Sequence, residues 1–184
     1  MSTTLAAAVL AASMRLVASH EYAEGAPPGF SGGFTEDSCH ACHFHEEVNA
    51  APGRVSIEGV PTTFVPGQPY TLAITLERPG MTLAGFQLAA RFKDGGAQAG
   101  TLAAGADEGE RVGVEDQGGV QYVGQKKAGV AIGAAGTARW TVEWTAPQRG
   151  GPVVFHVAAN AADGNGNAEG DFVYTASAES APPP

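Results

Sequence analysis

Tyr70-Thr71-Leu72-Ala73-Ile74-Thr75-Leu76 alternates with a period of two, placing Tyr70, Leu72, Ile74 and Leu76 on one face. Side chains of an extended strand point to opposite sides in turn, so this stretch reads as a strand with one face against a core. Turn signals bracket it, Pro66-Gly67 before and Pro79-Gly80 after. The same grammar repeats outward in both directions. Residues 54–57 and 62–65 precede it, and residues 86–92 follow, ended by Asp94-Gly95-Gly96. Residues 100–119 are weakly patterned and read as a long loop with short strands near Leu102 and Val112. Residues 120–123, 137–144, 153–158 and 172–175 complete the set, with Trp140, Val142 and Trp144 facing inward. Eight or nine short strands between Gly/Pro turns predict an all-β fold. The expected architecture is an Ig-like, Greek-key β-sandwich over residues 53–176, with both tryptophans in its core. The polar, proline-ended stretch 177–184 reads as a disordered tail without an anchor or sorting signal.

Composition supports this class. Among 184 residues there are 26 glycines and 12 prolines, and only 16% are charged, which suits a turn-rich β domain better than Leu/Glu/Lys-rich helices. A formal net charge of −9 argues against nucleic acid and anionic lipid surfaces as partners. An acidic surface suits a basic redox partner and also, more simply, solubility. The N-terminus, residues 1–19, reads as an atypical export signal. Its apolar run covers residues 4–12, and Val17-Ala18-Ser19 offers small residues for cleavage, but Arg15 follows the run instead of preceding it. A short amphipathic helix is the alternative. The run is too short to span a bilayer, so the mature chain is expected to lack a transmembrane helix and to be periplasmic or extracellular.

Residues 20–52 are irregular and rich in turn formers, with at most a helical turn or two between Cys39 and Val48, capped by Ser38. This segment holds both cysteines of the chain, in Cys39-His40-Ala41-Cys42-His43. C-x-x-C-H is the attachment pattern for c-type haem. Two thiols three residues apart can form thioethers with the two vinyl groups of one porphyrin, and the following imidazole can bind the iron as proximal ligand. The expected cofactor is therefore one covalent haem c, held by Cys39 and Cys42 with His43 on the iron. Alternatives are a Cys39–Cys42 disulfide, or a zinc site drawing on His40, His43 or His45. Zinc usually wants four ligands from two separated pairs, and no second Cys/His pair follows. A thioredoxin-like pair wants a βαβ pattern, which is missing. Candidates for the distal iron position are His156, Met81 and His20; His45 is too close to His43 in the chain to reach the opposite face. A second candidate site, for calcium, is formed by Asp163, Asn165, Asn167 and Asp171 at alternate positions, although Tyr174 stands where an EF-hand has its closing glutamate. Ordinary turns use the same residues.

Several stretches together resemble one family. These are Phe64-Val65-Pro66-Gly67-x-x-Tyr70, Gly85-Phe86-Gln87-Leu88, Trp144-Thr145-Ala146-Pro147, residues 155–164 and Gly170-Asp171-x-Val173-Tyr174-Thr175. They are similar to the bacterial Reeler-like, or choice-of-anchor V, domain, over residues 29–175. The resemblance implies an exported β-sandwich preceded by a Gly-rich segment with C-x-x-C-H, often tethered to the cell surface, with haem c. Relatives carry a histidine shortly after the tyrosine-containing strand; this chain has Gln125 there, after Tyr122-Val123-Gly124. The resulting expectation is an exported monohaem c-type protein acting in electron transfer, or as an accessory subunit, with a redox protein or membrane redox complex as partner. Competing readings are a non-redox binding or structural module and a haem sensor or enzyme with an open iron position. No Ser/His/Asp or paired-acid arrangement marks a catalytic residue.

Overall fold

The computed structural model describes residues 24–133 and 136–184; residues 1–23, including the expected signal and His20, lie outside the described residues. Among the described residues nine strands form two antiparallel sheets: β1 (Arg54–Glu58), β2 (Pro69–Glu77), β3 (Leu83–Phe92), β4 (Thr101–Ala104), β5 (Val112–Gln117), β6 (Val120–Gln125), β7 (Thr137–Thr145), β8 (Val153–Ala162) and β9 (Phe172–Ser180). One sheet has the order β1-β2-β7-β4 and the other β5-β6-β3-β8-β9. The expected all-β sandwich is observed. Among the described residues, no helix is long and apolar enough to cross a membrane.

The period-two pattern sets the core. Leu72, Ile74 and Leu76 of β2 and Trp140, Val142 and Trp144 of β7 are fully buried. They meet Phe155, Val157, Ala159 and Ala161 from the inner face of β8. Tryptophan buries a large ring but must place its N–H. Trp140 Nε1 donates to the Gly129 carbonyl (2.9 Å) and Trp144 Nε1 to that of Ala99 (2.8 Å). Both tryptophans are core residues, as expected. The β5–β6 hairpin turns on Gly118-Gly119, both with φ near the left-handed region (63° and 79°), as a two-residue hairpin needs.

Three details differ from the sequence reading. The stretch 62–65 is no ladder strand. Prolines 61 and 66 bracket it, and it makes one parallel bridge from Thr63 to Ala181 while Phe64 is buried. The tail expected from 177 is ordered instead. β9 continues to Ser180 because Val153, Val154, Phe155 and His156 of β8 supply pairing partners for residues 177–180, and Ser180 is buried. The helical stretch expected between Cys39 and Val48 shrinks to a single 3-10 turn, Cys39–Ala41, capped by Ser38 Oγ accepting from the His40 amide at 3.2 Å.

Candidate functional site

β3 and β8 are largely buried on both faces, the outer one mixing alanines with Gln87, Arg91, His156 and Asn160. Ala90 and Ala159 face the core, whereas Ala89 and Ala158, one residue away, are equally buried on the outside. A sheet covered on both sides needs a second layer. The irregular segment from Gly25 to Ala50 supplies it, as a strap across the outer face of the five-stranded sheet. Tyr122, Ala89 and Val120 form a small apolar cluster of their own on that face.

Four anchors seat the strap. Gln87, on β3 and 2% exposed, reads its backbone directly. Its Nε2 donates to the carbonyls of Pro27 (2.9 Å) and Ala26 (3.3 Å), and its Oε1 accepts from the Phe30 amide (2.6 Å). Next, a small hairpin closes between Ser31 and Ser38, with the Gly32 amide on Asp37 O at 2.9 Å. It drives Glu36 onto the sheet. There Glu36 accepts from Arg91 Nη1 (2.7 Å), Ser31 Oγ (2.8 Å) and the Tyr122 hydroxyl. Burial, then the hydrogen bond and charge of Glu36, push the Tyr122 phenol up to about 12.

The third anchor is steric. Gly33 lies so close to His156 that a Cβ there would sit 2.3 Å from the ring, and Phe34 meets the same ring edge-on at 5.4 Å. Burial is the main cause lowering the His156 pKa, with Arg91 acting in the same direction and Glu36 and Glu179 opposing. The fourth anchor closes the sheet edge. Asn49 donates from its amide to Val173 O (2.9 Å) and accepts the Thr175 amide on Oδ1 (2.9 Å), covering exposed groups of β9. Tyr174 hydroxyl donates to Ala50 O at 2.9 Å and ends the strap.

The C-x-x-C-H turn lies between these anchors, over the end of β8. Cys39 and Cys42 are unpaired thiols. Burial pushes the Cys39 thiol up to about 12, whereas Cys42 is exposed. His43 is one-third exposed, and its Nδ1 lies 2.7 Å from Oδ2 of Asp171, which is 2% exposed. A buried carboxylate beside a ring nitrogen takes its N–H. In a neutral ring of that tautomer the lone pair is on Nε2, and Asn160 Nδ2 lies 3.3 and 3.4 Å from Nδ1 and Nε2. Asn160 Nδ2 approaches the same carboxylate oxygen at 3.4 Å, and the Asp163 amide donates to Asp171 Oδ1 at 3.2 Å. Phe44 and Val48, just past the motif, are exposed apolar side chains, 60% and 36% accessible.

Other expected site residues sit elsewhere. Met81 is buried in the core between the sheets, where its thioether has no route to the strap. His156 shares the outer face of β8 with Asn160, but Gly33 and Phe34 cover it, and it is not brought to His43. His40 Nε2 is at 3.0 Å from Glu46 O, and His45 stacks on Phe44. Among the described residues no group of three or more His, Cys, Asp or Glu is gathered to hold a metal ion, so the residues considered for zinc are not assembled. The loop expected to take calcium folds on itself. Asp163 Oδ1, Asn165 Oδ1 and Asn167 Oδ1 accept the amides of Asn165 (2.9 Å), Asn167 (2.8 Å) and Glu169 (2.7 Å). Asp171 turns out of that loop toward His43. Glu36, Gln87, Arg91, Asn160 and the pairing of Asp171 with His43 were not read from the sequence. The available signal was polar Gln87, His156 and Asn160 spaced at even intervals on otherwise apolar strands.

No family model and no curated protein matches the chain. Among solved structures it is similar to the Reelin-N domain of F-spondin, at 18% identity and TM-score 0.50, covering 75% of this chain and 91% of that one. A human F-spondin reeler domain matches at 18% identity and TM-score 0.47 over 73% and 92% of the two chains. A cohesin module from a Clostridium perfringens family 33 glycoside hydrolase matches at 14% and 0.47, over 71% and 96%. Identities this low speak to the fold alone, a two-sheet antiparallel β-sandwich.

Proposed function

We propose that this chain is a binding module in which a Reeler-like sandwich presents a strap-borne C-x-x-C-H motif, and that the motif takes up one c-type haem. Cys39 and Cys42 would hold it covalently, and His43 would bind the iron through Nε2. The observation that carries this reading is the bond from His43 Nδ1 to buried Asp171 at 2.7 Å. A metal-bound histidine characteristically gives its other ring N–H to a carboxylate, carbonyl or water. The exposed Phe44 and Val48 beside the motif supply apolar surface that a porphyrin would cover. When bound, the haem supplies one-electron transfer, with a redox protein as source or acceptor of the electron. The chain's own residues orient His43, keep it docked on β8 and leave the motif at the surface for a partner. The apolar run at residues 4–12 supports export to a periplasmic or extracellular location.

A second reading has its own support. Gln87, Glu36, Gly33 and Asn49 seat the strap through protein contacts alone, so the fold does not call on a cofactor. On that reading the chain is a non-redox binding or structural sandwich, and Cys39 and Cys42 serve as a thiol pair able to form a disulfide in an oxidising compartment. A pyridine haemochrome spectrum on protein exported into a periplasm with active c-type maturation separates the two. A c-type band that survives acid-acetone extraction supports the haem reading. A colourless product beside a coloured control cytochrome rejects it and leaves the second.

A further inference from the structure

We propose that Asp171 is the positioning residue of His43: it fixes the imidazole as the Nδ1–H tautomer, presents Nε2 as the ligand nitrogen, and holds any iron bound there toward its oxidised state. The electronic part of this inference rests on the haem reading; the tautomeric part does not.

The geometry carries it. Asp171 is 2% exposed, its Oδ2 is 2.7 Å from His43 Nδ1, and the pair joins residues 128 apart in the chain. The carboxylate is held from three sides, by His43, by Asn160 Nδ2 (3.4 Å) and by the Asp163 amide (3.2 Å). Swinging it to accept from Nε2 would cost the Asp163 amide its acceptor, while Asn160 Nδ2, 3.3 and 3.4 Å from Nδ1 and Nε2 of the ring, stays within reach of the imidazole. The loop from Asp163 to Asp171 brings this group to His43. Its Asp and Asn oxygens take successive backbone amides, which rigidifies the turn and returns the chain at Asp171 beneath the strap. The residues that suggested calcium from sequence thus serve as the scaffold of a histidine's carboxylate partner.

Chemistry follows from the charge. A carboxylate on Nδ1–H pulls that proton and makes the ring a more basic, more anionic ligand. Such a ligand favours the higher charge of ferric over ferrous iron. Removing the negative charge while keeping an acceptor should therefore favour the ferrous form and raise the reduction potential.

The test has two arms. In the first, the haem-free full chain is labelled with nitrogen-15, and the tautomer of His43 is read by long-range nitrogen–proton correlation at a pH where the ring is neutral. The expected spectrum shows protonated Nδ1 in the unmodified chain and in Asp171→Asn, and a mixture shifted toward protonated Nε2 in Asp171→Ala. Protonated Nε2 in the unmodified chain would overturn the proposal without any variant being needed. In the second arm, the reduction potentials of haem-loaded protein and Asp171→Asn are compared. A raised potential supports the electronic role, and an unchanged or lowered potential with haem in place overturns it. Failure of the chain to acquire haem would reject the haem reading and with it the electronic role, while the first arm still decides the positioning role.

Discussion

Glu36→Ala should unfasten the strap and leave the sandwich folded. Glu36 and Arg91 are 14% and 13% exposed, and the carboxylate also accepts from Ser31 and Tyr122. Truncation leaves the Arg91 guanidinium, whose Nε already has no partner, with only the Tyr122 hydroxyl oxygen at 3.4 Å from Nη2, and takes the acceptor from that hydroxyl. Removing one member of a buried ion pair costs roughly 3–5 kcal/mol, and a hydrogen bond to a charged group is worth about 1.5–3 kcal/mol. Because both side chains retain some contact with water, the lower bound of about 3 kcal/mol is the suitable value. At 1.4 kcal/mol per tenfold, that shifts the docking equilibrium by roughly 100-fold. The core should not follow, since Leu72, Trp140 and Phe155 pack on the other side of the sheet. Native-state hydrogen exchange reads the two parts separately. The amides of Gly32 and Glu36, bonded to Asp37 O and Gly33 O within the strap, should exchange about 100-fold faster. Amides of β7 and β8 should be unchanged. Equal acceleration in strap and core would show one cooperative unit and refute the separation argued here; unchanged strap amides would show that the ion pair contributes nothing to docking.

Three further outcomes are expected. Gly33→Ala forces a Cβ to within 2.3 Å of the His156 ring, an overpacking cost of about 1–3 kcal/mol, and should open the strap in the same exchange experiment. Acidification should loosen the strap through His156. Its docked pKa lies below the ordinary 6.5, so the open state binds more protons, and stability is full above 6.5 and falls as pH drops toward the docked pKa. His156→Gln should flatten that dependence in strap-opening free energies measured by exchange, and an unaltered slope would assign the effect to another group. Finally, iodoacetamide at neutral pH should modify exposed Cys42 before Cys39, whose thiol is held at about 12, and Glu36→Ala should narrow the gap; mass mapping after short exposures reads the order.

The sandwich was legible because one-sided strands announce themselves. Leu72, Ile74 and Leu76, then Trp140, Val142 and Trp144, each keep strict alternation, and every one is buried. The end of β9 was missed since Ser177 to Ser180 look polar in isolation, yet pairing with β8 gives their backbone groups partners. The site was half legible. Spacing exposed Cys39, Cys42 and His43, which are local, but no local pattern links His43 to Asp171 or Glu36 to Tyr122, 128 and 86 residues apart. Adjacent Ala89-Ala90 and Ala158-Ala159, apolar on both faces, did carry the news that something covers the outer sheet.

That covering has a temporal side. Most of the surface on which the strap rests belongs to β3, β8 and β9, and β8 and β9 (residues 153–180) are the last of the described strands to be synthesised. His43 and Asn49 therefore spend the interval in which some 110–130 further residues emerge with no seat to occupy. At elongation rates of about 5–20 residues per second, that interval is on the order of ten seconds. Throughout it Cys39 lacks the surroundings that later suppress its thiolate, so any chemistry on the pair is easiest on the nascent chain, and arrival of β9 closes the window.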